Sequence, residues 1–118
     1  ATEIRDETNL NNENIVKVIT NSKLTSENFT IATDFKRKIK NLNLNTYHHL
    51  GVYAYKPEVL KKLIKLEQTN NEIKNRLEQL RAIENGIEIN VGLAKFCPIG
   101  VDTMEDYLDL KKKLEYNS

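Results

Sequence analysis

A mixed α/β domain, with a mixed sheet covered by helices, is the fold class the sequence predicts, and three observations carry it. Short β-branched or alternating runs recur at Ile15–Thr20, Phe29–Phe35, Tyr47–Lys56 and Ile87–Leu93. Segments with helical apolar spacing follow Pro57, Thr69 and Asp102. The resulting order, β-β-β-α-α-β-α, supplies helices that can cover a sheet. At 118 residues the chain is one domain, 1–118, and buries roughly two-thirds of its unfolded surface.

Composition excludes several function classes. Charged residues are 30% of the total and the formal net charge is +1, so no strong basic field points to nucleic acid or an anionic membrane surface. No apolar run approaches the ~20 residues that cross a bilayer. The chain starts at Ala1 with no basic or apolar leader, and its single cysteine, Cys97, cannot form an internal disulfide. A cytoplasmic location is the expectation. Cys97, beside Pro98 and far from any histidine in sequence, reads as a small apolar residue rather than a reactive thiol.

In chain order, Ala1–Ile4 is similar to an edge strand, and the polar run Arg5–Asn14 reads as a loop, so that 1–14 is largely irregular. Ile15–Thr20 is β-branched and bounded by Asn, a strand signature. Phe29–Phe35 alternates Phe29, Ile31, Thr33 and Phe35 against Thr30, Ala32 and Asp34, the period of a half-buried strand pairing with the first as a hairpin. Residues 36–46, basic and Asn-rich, read as a second loop.

Tyr47–Lys56 reads as one extended strand. Successive side chains then alternate between faces, placing His49, Gly51, Tyr53 and Tyr55 on one side and His48, Leu50, Val52 and Ala54 on the other, which suits a core. The glycine between an imidazole and a phenol leaves an open floor that a polar ligand could approach. Pro57 then opens a helix at the position where its missing N–H costs nothing, with Val59, Leu60, Leu63 and Ile64 on one apolar face.

Thr69-x-x-Glu72 is a capping box. It starts a helix with the buried stripe Ile73, Leu77, Leu80 and Ile83, which Asn85-Gly86 ends. Ile87–Leu93 places Ile87, Ile89, Val91 and Leu93 on one face of a strand. A last helix, opening near Asp102 or Thr103, is expected to bury Met104, Tyr107, Leu108 and Leu114, with Lys111–Lys113 in its second half, where the dipole favours cations.

Three motifs carry a resemblance. His49–Tyr55 (H-x-G-V-Y-A-Y), Leu77–Arg81 (L-E-Q-L-R) and Gly100–Asp106 (G-V-D-T-x-E-D) stand here in an order and spacing similar to the second half of the CMP-Kdo synthetases, the 3-deoxy-manno-octulosonate cytidylyltransferases. The likeness runs from about Tyr47 to Leu110. It implies the C-terminal half of a nucleotide-diphospho-sugar transferase-like fold, and the absent initiator methionine agrees with a chain that is part of a longer protein. It also implies transfer of CMP from CTP to 3-deoxy-manno-octulosonate (Kdo), Mg²⁺ as cofactor, and a homodimer.

The resemblance assigns residues too. Asp102 matches the metal-ligating aspartate of G-V-D-T; as the residue opening a helix it could equally be an N-cap, unless Thr103 and Asp106 take that role. His49, Tyr53, Glu78 and Gln79 match positions that bind the sugar acid, although a strand histidine is commonly satisfied by its neighbours and Glu78 could pair with Arg81 three residues on. Arg37 is a candidate carboxylate clamp, since a guanidinium donates two parallel bonds to a carboxylate, and a solvated basic loop is the rival reading. Departures occur at Lys36, Lys56 and Asn75, where the pattern has serine, arginine and glutamate. No Gly-rich basic loop for a triphosphate, Walker pattern or zinc spacing is present, so the chain on its own is expected to be inactive. The other readings are a non-catalytic dimerisation or interaction module of the same fold and a cytidylyltransferase for another, related sugar acid.

Overall fold

The structure, a computed structural model, describes residues 1–5, 7–41, 45–95 and 103–116. Four strands, β1 (Lys17–Thr20), β2 (Thr30–Lys36), β3 (Thr46–His48) and β4 (Asn90–Val91), form one curled sheet in the order β3-β1-β2-β4. Every pairing is antiparallel, β1 with β2 and β3, and β2 with β4, so the sheet is not the mixed one expected. The connections explain it. β1 and β2 form a hairpin, and the run of helices returns the chain to the far edge of β2, so strand direction alternates throughout.

Ala1 and Thr2 bridge the two edges of the curl. Thr2 exchanges backbone hydrogen bonds with His48 at 2.9 and 2.8 Å, the Ala1 amine donates to Gly92 O at 2.9 Å, and Ala94 N donates to Ala1 O at 2.7 Å. Edge groups that would otherwise face solvent are thereby paired.

Val18 lies opposite Phe35 on β2 and Tyr47 on β3, and this cross-strand row is the centre of the core. The Tyr47 hydroxyl accepts the Leu24 amide at 2.9 Å, so its one polar atom is satisfied on burial. Lys17, on the opposite face of β1, is also fully buried, beneath the segment that carries a short 3-10 helix at Glu7–Asn11. That helix replaces part of the expected loop 1–14, because Leu10 is drawn into the interior, where its carbonyl accepts Ile39 N at 2.9 Å. The expected loop 36–46 begins and ends in strands: Lys36 closes β2 and Thr46 opens β3.

The face assigned to β2 is corrected by a bulge. Ile19 opposes Asp34 but Thr20 opposes Ala32, which leaves Thr33 unpaired and reverses the side-chain alternation. Thr30, Ala32 and Phe35 therefore point inward, while Phe29 lies exposed across Gly92. The β4 face holds, with Val91 buried and Ile87, Ile89 and Leu93 half-buried, although only Asn90–Val91 is regular strand.

The helices are α1 (Pro57–Ile64), α2 (Asn70–Asn75), α3 (Gln79–Glu84) and α4 (Met104–Tyr116). α1 starts at Pro57 as expected, but Leu60 and Ile64 remain exposed. The predicted single helix after Thr69 is two. α2 stops where Arg76 adopts left-handed geometry, φ 55° and ψ 46°, and α3 begins three residues later. Leu77 and Leu80 are buried as expected, but the turn swings Ile73 out to solvent.

On α4 the expected stripe is not buried: Met104 is 71% and Leu114 63% exposed, with Tyr107 and Leu108 also open. The radius of gyration, 15.6 Å, exceeds the roughly 13.5 Å of a close-packed chain this long, in keeping with helices that stand away from the core.

Candidate functional site

The run after β3 builds the candidate site, though not as the single strand expected over Tyr47–Lys56. The ladder persists as far as His49, whose amide donates to Val16 O at 2.8 Å. A tight turn then closes, Val52 N donating to Leu50 O at 2.8 Å, and strand geometry ends there. The supposed core face is lost with it: Val52 is 85% exposed and Ala54 is exposed, because among the described residues nothing packs over them.

The turn nonetheless brings His49 and Tyr53 together. The Tyr53 hydroxyl and His49 Nε2 are 2.7 Å apart, and Phe35, His49, Tyr53 and Tyr55 form a chain of ring contacts with centroids 5.3, 5.4 and 5.9 Å apart. The first contact is edge-on, at 90°, which anchors the imidazole to the core through buried Phe35. Between the two polar groups, a methyl built on Gly51 would meet nothing within 4 Å. The floor is open, as the sequence suggested.

Electrostatics keep this pair neutral. Burial, then the amino-terminal charge and His48, lower the His49 pKa from 6.5 to about 4. Burial, then Tyr55 and the Glu78 carboxylate, hold the Tyr53 phenol well above its ordinary value. Near pH 7 a neutral imidazole and a neutral phenol therefore share one hydrogen bond, and each retains capacity towards a ligand hydroxyl. Glu78 lies near enough to act on Tyr53 and stands just before α3, with Gln79 the first residue of that helix. Glu78 is exposed and Gln79 half-buried.

The alternative partner for Glu78 is taken. Arg81 makes a two-pronged ion pair with Glu72, through Nε to Oε2 at 2.9 Å and Nη2 to Oε1. Glu72 is buried, and besides this pair it completes the capping box with Thr69, whose hydroxyl accepts Glu72 N at 3.1 Å. Arg81 holds the Glu72 carboxyl below the usual range. Sequence reasoning saw the cap but not the pair, since no periodicity rule couples positions nine apart.

Arg37 is placed elsewhere. Its Nε donates to Asn75 O at 2.7 Å, Nη2 to Arg76 O at 2.9 Å and Nη1 to Glu13 O at 2.8 Å, committing three of a guanidinium's five N–H donors to carbonyls. It borders a cleft of about 480 Å³ with Lys36, Lys38, Lys74, Arg76, Glu13 and Glu84 among its walls, and none of His49, Tyr53, Glu78 or Gln79 lines this cleft. The run Lys36–Lys38 was its one sequence signal.

Asp102, Cys97 and Pro98 lie outside the described residues. The helix that follows carries a reciprocal cap, Asp106 N donating to Thr103 Oγ1 at 3.1 Å and Thr103 N to Asp106 Oδ2 at 3.2 Å. Among the described residues no three His, Cys, Asp or Glu side chains gather to hold a metal, and no helix is long and apolar enough to cross a membrane.

Comparison with known proteins bears on these positions. No family model matches the chain. A 3-deoxy-manno-octulosonate cytidylyltransferase of Thermodesulfovibrio yellowstonii is 39% identical over 111 residues, covering 90% of this chain and 44% of the relative. One of Bartonella bacilliformis is 37% identical over 116 residues, 95% of this chain and 46% of the relative, and one of Bartonella tribocorum reaches 43% over 68 residues.

The chain is homologous to part of the 3-deoxy-manno-octulosonate cytidylyltransferases. It spans less than half the length of these relatives. Of the candidate site residues, His49 and Tyr53 are joined directly, Glu78 and Gln79 stand at the start of α3, and Arg37 is held apart on the carbonyls of Asn75, Arg76 and Glu13.

Proposed function

We propose that this chain is the C-terminal, sugar-acid-binding part of a cytidylyltransferase with a nucleotide-diphospho-sugar transferase-like fold. In the assembled enzyme the anomeric hydroxyl oxygen of Kdo attacks the α-phosphorus of CTP. The bond to the β-phosphate breaks, pyrophosphate leaves with that electron pair, and the hydroxyl proton is released, giving CMP-Kdo for lipopolysaccharide synthesis. His49, Tyr53, Glu78 and Gln79 bind the sugar acid. The observation that carries this reading is the His49–Tyr53 hydrogen bond beside open Gly51, with the Glu78 charge felt at the phenol. Two neutral groups and a carboxylate suit a polyhydroxylated ligand, because each can accept from or donate to a hydroxyl, and such sites reject analogues lacking the matching group.

Asp102 is the proposed Mg²⁺ ligand. Magnesium commonly takes one or two carboxylates and completes its shell with water and phosphate oxygens, so the lack of a three-ligand cluster among the described residues is compatible with it. The reciprocal capping by Thr103 and Asp106 supports this role, since it supplies the α4 cap from within residues 103–106. The metal supplies neutralisation of phosphate charge and a lowered pKa for the sugar hydroxyl. CTP and Kdo as substrates, a cytoplasmic location and a homodimer belong to the same proposal.

The test pairs this chain with the CTP-binding portion of a relative and follows pyrophosphate release and calorimetric binding of Kdo. Turnover that depends on Mg²⁺ and collapses in Asp102→Asn and His49→Ala is the expected result. No binding of Kdo or CMP-Kdo, with turnover unaltered by Asp102→Asn, overturns it. The exposed apolar faces of α1 and α4 favour the second reading, a non-catalytic interaction module, which the latter outcome would leave standing.

A further inference from the structure

Glu78 and Gln79 follow the turn between α2 and α3, and a relay rooted in the buried Lys17 of the sheet holds that turn. Arg76 is the one described non-glycine residue with positive φ, a strained conformation for a side-chain-bearing residue. At such a helix end the last carbonyls lose their intrahelical donors. The Arg37 guanidinium replaces them at Asn75 and Arg76. Arg37 is in turn held by its own carbonyl, which accepts the ammonium of Lys17, and Lys17 also donates to Asn12 O at 2.8 Å. Lys17 sits on central strand β1 with no exposed surface. The relay thus runs from β1 through Lys17 and Arg37 to the carbonyls one and two residues before Leu77-Glu78.

We propose that Arg37, held by Lys17, is a positioning residue that fixes the α2–α3 turn and so aims Glu78 and Gln79 at the His49–Tyr53 pair, and that it does not contact the sugar-acid carboxylate. This rests on the sugar-acid reading for the ligand, but the mechanical part stands independently of it. Geometry favours it over a direct clamp. The Nε and Nη2 donors, which together form one bidentate edge of the guanidinium, are both spent on carbonyls, and the cleft beside Arg37 excludes the four residues that face the proposed ligand. Lysine cannot substitute, because one ammonium does not present a planar fork to two fixed carbonyls.

Amide hydrogen exchange on the chain itself, with no ligand, tests the mechanical claim. Arg37→Gln, and the milder Arg37→Lys, are expected to lower protection at Leu77–Arg81 by about tenfold while sheet amides such as Val18 and Ala32 keep theirs. Lys17→Met should loosen the same amides, although Lys17 reaches no surface. Unchanged exchange at residues 77–81 in Arg37→Gln, or a loss spread evenly over the sheet, overturns the proposal.

In the reconstituted enzyme, Kdo is compared with its carboxamide. A positioning role lowers activity on both and leaves the acid-to-amide preference within about twofold of the unsubstituted chain. A direct clamp collapses that preference in Arg37→Gln, since the lost charge-assisted bonds belong to the carboxylate alone, and that outcome sinks the proposal. If neither compound binds, the exchange result still decides the turn while the sugar-acid reading falls separately.

Discussion

Residues 69–84 and 103–116 are similar on paper and opposite in the folded chain. Each opens with threonine and, three residues later, an acid, and each forms the reciprocal cap. Each carries apolar residues at helical spacing. Yet Leu77 is 3% exposed and Leu108 47%. Caps and periodicity specify a helix because they are local. Burial needs a facing surface, and only the first segment finds one, against β2 and the Val18–Phe35 core. The two regions also differ in continuity: the first breaks at Arg76 to follow the curl of the sheet, while the second, with nothing to follow, runs unbroken for 13 residues.

The sharpest way to break this comparison is truncation at matched positions. Leu77→Ala should cost about 2–5 kcal/mol in urea denaturation, whereas Leu108→Ala should stay within about 0.5 kcal/mol. Equal losses would mean that α4 is packed in solution. Next in size is the cap itself. Glu72→Gln leaves the Thr69 bond to the residue-72 amide but takes the charge out of a buried ion pair, so it should lower the melting temperature clearly more than Asp106→Asn, which weakens an exposed cap.

Acidification sharpens the contrast further. His49 has its folded pKa depressed to about 4 from 6.5, so the unfolded chain binds the extra proton between these values. Stability is full above pH 6.5 and declines as pH falls towards 4. His48, also lowered by burial, adds to the decline as pH falls below 6.5. Glu72, depressed by Arg81, adds its loss only below about pH 4.5. His49→Gln should therefore flatten part of the upper slope in a pH series of unfolding midpoints and leave the acidic limb, which Glu72→Gln removes. The smallest effect on folding is expected at Gly51→Ala, because the added methyl meets no protein atom. Calorimetry should show its cost in sugar-acid affinity instead, and a variant that binds as well as the parent would place the ligand away from Gly51.

Much of the candidate site was legible, for reasons that differ residue by residue. His49 and Tyr53 were placed together by alternation in a strand that ends at a turn after Leu50. They meet all the same, because the turn keeps their side chains within 2.7 Å of each other. The Thr69–Glu72 cap was legible because it is a contact between neighbours. The Glu72–Arg81 pair, the left-handed Arg76 and the carbonyl-bound Arg37 were not, since each depends on how segments far apart in sequence fit in space. The bulge at Thr33 escaped for the same reason: it exists in the pairing of two strands, and β2 alone shows only an unbroken alternation.

What the sequence alone determined is local: the capped helix starts at Thr69 and Thr103, the extended runs of β1, β2 and β4, and through its motifs the cytidylyltransferases it resembles. Burial, strand direction and the break of the helix at Arg76 were decided by the tertiary structure. Each of these is a relation between surfaces, and its free energy comes from water and hydrogen bonds exchanged when separate segments meet.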